Sequence, residues 1–137
     1  MENFTLDHDI KVLTVTAKSF PEGVMDAFNK VKALGDFSKD RNTFGLSRPE
    51  NGGGIIYKAG VEEKNESEGE KYGCETIVIK KGEYISETIK DFMKNISSIG
   101  QTFQEMIKRP DIDPEGYCVE WYSTDSKDVR CMVRLRS

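Results

Sequence analysis

The order strand, helix, strand, strand is written twice along this chain of 137 residues, and that doubled order limits the available folds more than any single motif. In the first copy the β-branched run IKVLTVTA at 10–17 reads as a strand. A helix is predicted next: Ser19 and Glu22 have capping-box spacing, Pro21 lies in the first turn, and Val24, Ala27, Phe28, Val31 and Leu34 form an apolar stripe that stops at Gly35. Two extended segments, 43–48 and 55–62, flank the turn-forming PENGGG at 49–54 and read as a hairpin. No Gly-Lys-Ser or Gly-Lys-Thr follows those glycines, so they do not read as a phosphate loop.

The second copy opens with CETIVIKKGEYISETI at 74–89, a long strand or a bent pair. Ile96, Ile99, Gly100, Phe103, Met106 and Ile107 then form a helical stripe ended by Pro110, and strands at 116–123 and 128–136 close the chain across STDSKD. Between the copies, EEKNESEGEK at 62–71 is charged, lacks apolar residues and reads as a flexible connector. One domain over 1–137 is expected, with module one at about 8–63, the connector at about 64–73 and module two at about 74–137.

The charge pattern excludes several functions. A net charge of −4, with Lys and Arg interspersed among Asp and Glu, leaves no basic stripe for a nucleic-acid groove. The N-terminus carries Asp7 and Asp9 where a secretory signal has an apolar run, and no stretch approaches the roughly 20 apolar residues needed to span a bilayer. A soluble, cytoplasmic protein without a membrane partner is expected. Cys74, Cys118 and Cys131 lack metal-ligand spacing and read as free thiols packed as small hydrophobes. His8, the only histidine, sits near an end expected to be mobile, so neither a metal nor a haem or other cofactor is expected.

The segment GYCVEWY at 116–122 places Glu120 in a strand whose two rows, Tyr117, Val119, Trp121 and Cys118, Glu120, Tyr122, are otherwise apolar or aromatic. A carboxylate in such a strand is a candidate for burial and needs a cation or hydrogen-bond donors. In the last strand Val129, Cys131, Val133 and Leu135 form the apolar row, and Arg130, Met132, Arg134 and Arg136 the other. Giving the helix side the most apolar row of each strand pairs Val129 to Leu135 with Tyr117, Val119 and Trp121, so that Trp121 packs under the helices. Glu120 and Tyr122 then share a face with Arg130 and Met132. A three- or five-residue loop gives that register, and a two- or four-residue loop reverses it. Either Arg130 or Arg134 neutralises Glu120, or the other half covers this face and leaves Glu120 at the floor of a cleft.

With the doubled order, the IIYKAGVE segment at 55–62, the IKKGEYI segment at 79–85 and the VEWY ending at Tyr122, the chain from Ile10 to Leu135 resembles the GyrI-like small-molecule-binding domain. That domain also serves as the effector-binding domain of AraC-type and MerR-type multidrug regulators. The resemblance implies an α+β fold of two strand-helix-strand-strand modules in pseudo-twofold arrangement, with antiparallel sheets and a central ligand cleft lined by aromatics. It also implies a glutamate in a Glu-x-Tyr position, here Glu120 with Tyr122. Tyr57 holds the matching aromatic position of the first half, and Tyr84, Phe44 and Met132 are further ligand-binding candidates. The first strand is reached by residue 10, so a stand-alone version without its own operator-binding domain is expected.

The expected function is a cytoplasmic protein that senses or sequesters hydrophobic or cationic small molecules. Hydrolysis of strained cyclopropane-containing electrophiles by Glu120 and Tyr122 is the alternative, since a carboxyl of raised pKa beside a phenol can position water or donate a proton. A third option is a protein-binding inhibitor such as a gyrase modulator, with the acidic connector as its surface.

Overall fold

The structure is a computed structural model that describes residues 1–35, 41–50, 52–123, 125 and 127–136. Asn51 of the turn at 49–54, and Thr124 and Ser126 of the turn at 123–128, lie outside the described residues. The chain folds as β1 (Glu2–Leu6), β2 (Ile10–Thr16), α1 (Val24–Lys32), β3 (Thr43–Pro49), β4 (Ile55–Glu62), α2 (Glu68–Tyr72), β5 (Glu75–Ile79), β6 (Gly82–Ile89), α3 (Ser97–Ile107), β7 (Cys118–Tyr122) and β8 (Val129–Arg134), with a short 3₁₀ turn at Phe92–Lys94.

All eight strands form one curled antiparallel sheet in the order β1-β6-β8-β7-β3-β4-β2-β5. The doubled order is therefore real and α+β. The triplets β6-β8-β7 and β2-β4-β3 mirror each other across the central β7–β3 pair, within a single half-barrel sheet. Each copy also has a leading strand that crosses to the other: β1 pairs with β6, and β5 pairs with β2. The stretch at 74–89 is thus a bent pair. β1 was not expected, because ENFTL carries only two apolar side chains, and its pairing partner lies about eighty residues away in sequence.

The helices cover one face of the sheet. Ala27 and Val31 of α1 pack with Leu13, Tyr57, Ala59 and Val61. Phe103 and Met106 of α3 pack with Ile85, Val129, Cys131 and Val133. The curl of the sheet buries the opposite face, where Leu6, Ile10, Val12, Phe44, Leu46, Ile79, Tyr84, Val119 and Met132 form a core of their own.

This two-sided burial overturns the expected register of the last hairpin. Six residues separate Tyr122 from its partner Val129, an even number, and Glu120 lies opposite Cys131 while Trp121 lies opposite Arg130. Cys118, Glu120 and Tyr122 therefore face the helices, and Val119 and Trp121 face the curled interior. Sorting the more apolar row to the helix side requires that the other side be the wetter one, and here neither side is.

Two local expectations also change. The Ser19–Glu22 capping box does not form: the chain turns at 19–23, with the Gly23 N–H on the Ser19 carbonyl at 3.1 Å, and the helix starts at Val24 without a side-chain cap. The connector is not a loose tether. Glu68 on α2 is buried and accepts both Arg41 Nη1 and Nη2 at 2.8 and 3.0 Å, together with the backbone N–H groups of Lys64 and Asn65 at 2.9 and 3.2 Å. These donors, the Arg41 side chain first, hold the Glu68 carboxyl down at about 2.

Candidate functional site

Glu120 sits near the pseudo-twofold, on the strand that joins the second half to the first. Its carboxyl is buried, with 7% of the residue exposed. The Tyr57 hydroxyl donates to Glu120 Oε1 at 2.9 Å, and the Tyr122 hydroxyl donates to the same oxygen at closer range. Tyr57 belongs to β4 and must reach across β3 to do this. Gly45 of β3, which lies opposite both Glu120 and Ala59, makes the reach possible. A Cβ on Gly45 would stand 2.0 Å from Tyr57 Oη and 2.7 Å from Glu120 Oε1. The bare backbone of β3 is the ground on which the two halves share one carboxylate.

Rings enclose the trio. Phe20 stacks on Tyr57 with centroids 5.6 Å apart, and Phe28 of α1 meets Tyr57 and Tyr122 edge-on at 6.1 and 5.9 Å. Phe92 of the 3₁₀ turn lies 5.3 Å from Tyr122. Phe28 thus closes the site from the first half and Phe92 from the second.

Burial pushes the Glu120 carboxyl well above the ordinary carboxylate range, against the opposing pull of the Tyr122 and Tyr57 hydrogen bonds. Burial and the Glu120 charge also raise both phenols, which stay neutral donors. Among the described residues no cationic side chain pairs with Glu120. Arg130 and Arg134 lie on the opposite face: Arg130 covers Phe4 at 4.2 Å, and Arg134 donates to the Lys81 carbonyl and to Asp113. Neither expected arginine neutralises the carboxylate.

Three of the six candidates from the sequence, Glu120, Tyr122 and Tyr57, come together. Phe44, Tyr84 and Met132 do not: all three are buried in the core of the other face, where Tyr84 donates to the Lys80 carbonyl at 2.6 Å. Trp121 is there too, tilted against Phe44 at 5.2 Å. His8 is exposed in the turn between β1 and β2, beside Asp7. Phe20, Phe28, Phe92 and Gly45 were not among the candidates. Only Gly45 carried a signal, an isolated glycine inside a strand pattern, which marks a close approach over the backbone. Among the described residues no cluster of His, Cys, Asp and Glu could hold a metal. No helix among them is long and apolar enough to cross a membrane.

The sequence matches no protein family and no curated protein. Solved structures do share the fold. An integron cassette protein from the mobile metagenome of Vibrio cholerae has a TM-score of 0.68 at 10% identity, covering 98% of this chain and 95% of its own. SAV2435 bound to tetraphenylphosphonium has a TM-score of 0.62 at 14% identity, covering 99% and 93%. A hydrolase from Listeria innocua has a TM-score of 0.56 at 11% identity, covering 98% and 90%. At these identities the likeness defines a shared α+β fold, in which one curled sheet carries a helix from each half on the same face.

Proposed function

We propose that this chain binds bulky hydrophobic organic cations in the cleft between α1 and α3, with Glu120 as the counter-charge, and that it senses or sequesters such compounds in the cytoplasm. One observation carries the reading: a buried carboxylate held by two neutral phenols, ringed by aromatics, with no cation from the described protein on it. A delocalised cation supplies the missing charge without a large dehydration cost and gains cation–π contact with the surrounding rings. Support comes from the resemblance to GyrI-like domains and from the tetraphenylphosphonium bound to SAV2435. The free thiols of Cys74, Cys118 and Cys131 fit a reducing compartment.

Binding requires Phe28 to move, because in the closed arrangement it covers both tyrosines. Titration of tetraphenylphosphonium or a rhodamine-type dye against wild type and Glu120→Gln tests the proposal. At least tenfold weaker binding to the variant is expected, about 1.4 kcal/mol for a lost charge interaction in a desolvated site. Equal affinities would remove the carboxylate from the account. The pH dependence has a definite sign. Ligand cation favours ionised Glu120, whose pKa is raised by burial, so affinity should fall as pH drops through that raised value and level off above it.

A hydrolytic reading uses the same trio. A carboxyl of raised pKa beside two phenols can position water or donate a proton, and the Listeria innocua neighbour is a hydrolase. Turnover of a reactive cyclopropyl compound, abolished in a folded Glu120→Gln variant, would place it ahead of binding; no loss of substrate beyond buffer would end it.

A further inference from the structure

The sheet carries an open cavity of about 390 Å³, whose wall includes Phe4, Trp121, Tyr122, Ser123, Asp128 and Arg130. Its chemistry is opposite to that of the Glu120 cleft. The Arg130 guanidinium lies over the Phe4 ring at 4.2 Å, and a single N–H reaches Ser86 Oγ, at 3.4 Å. No carboxylate among the described residues pairs with it, so most of its five donors are uncommitted to the protein. Asp128, the anion of the same wall, is committed: it accepts Lys90 Nζ at 3.0 Å and the Asp91 backbone N–H at 3.2 Å. The cavity therefore offers a free cation beside an occupied anion.

The aromatic part of the wall is packed from two sides. Trp121 is held edge-on by Phe4 at 6.3 Å and tilted against Phe44 at 5.2 Å, while remaining only half-buried. A cavity of this size accommodates a small ligand, and an aromatic wall with one charged fork selects for a flat apolar body carrying one planar anion. We infer that this cavity is a second ligand site, for a small aromatic carboxylate, with the carboxylate on the Arg130 fork and the ring against Trp121. A phosphate fits less well, because Asp128 in the same wall repels a dianion more strongly than a monoanion. Tyr122 lines this cavity while its hydroxyl is held by Glu120, but the anion site rests on Arg130 and Trp121 and does not depend on what the Glu120 site binds.

Trp121 is the only tryptophan of the chain, so its fluorescence reports this cavity directly. Titration with 4-nitrobenzoate, a planar quencher, should give saturable quenching in the wild type. The neutral isostere 4-nitrobenzamide should need at least tenfold higher concentration. Arg130→Met, which keeps an apolar side chain of similar reach but removes the guanidinium over Phe4, should weaken the carboxylate at least tenfold while leaving the amide unchanged, and Arg130→Lys should recover part of the loss. Thermal melts establish that each variant is folded; if Arg130→Met does not fold, the carboxylate–amide difference in the wild type decides. Quenching that rises linearly without saturation, or that is equal for carboxylate and amide, overturns the inference.

Discussion

Single atoms decide how the Glu120 site is built, and Gly45 shows it most clearly. Gly45→Ala forces a methyl into the space held by the Tyr57 hydroxyl and the Glu120 carboxyl. A stability loss of about 1–3 kcal/mol is expected from the overpacking, read as a lower thermal midpoint, together with loss of cation binding. An unchanged midpoint would mean that Tyr57 does not cross β3 in solution. Glu120 makes a second prediction. Its folded pKa is raised by burial, so its favourable contribution is complete below the unfolded carboxylate value and is lost as pH rises through the folded one. Glu120→Gln should therefore gain thermal stability relative to wild type as pH rises from about 4 to about 8, and a difference independent of pH would defeat this. Burial first, and then the Glu120 charge, lift Cys118 to about 11 and Cys131 to about 12. Both thiols should resist a disulfide reagent at neutral pH until the protein is unfolded. The sequence marked Glu120 as an odd charge in an apolar strand, but a close contact over bare backbone exists only after β3, β4 and β7 are aligned.

At the scale of elements, periodicity made two of the three α-helices and seven of the eight strands visible, and it failed where the partner was remote or both faces were dry. β1 belongs to the first kind, since little in ENFTL marks a strand until Tyr84 and Ile85 of β6 stand beside it. The β7–β8 register belongs to the second: with both rows buried, hydrophobicity could not say which way Glu120 points. The connector failed for a different reason. Its charges read as solvated, yet Glu68 is the anchor of α2 through Arg41. Arg41→Met should cost about 3 kcal/mol, because it leaves a buried carboxylate without its cation. In the wild type the contribution of Glu68 is present above the unfolded carboxylate pKa and is lost as pH falls towards about 2. Denaturant titrations of both proteins at neutral and acidic pH measure this, and curves that stay equally far apart at all pH values would contradict it.

For the whole molecule, the exchange of leading strands means that neither half completes its own part of the sheet. β1 lies against β6, β5 lies against β2, and β3 and β7 join the halves at the centre. Unfolding should therefore be one cooperative event, with far-ultraviolet dichroism and Trp121 fluorescence giving coincident transitions. Two separated midpoints would show the halves to be independent. The exchange also gives the architecture a lineage in geometric terms: two like units that each lend a strand to the other have the arrangement of a strand-swapped homodimer whose chains have been tied end to end. The tie is then dispensable once the knot is drawn. A protease cut within 63–67, ahead of α2, should leave two fragments that stay clasped through their borrowed strands, co-elute, and part only under denaturant.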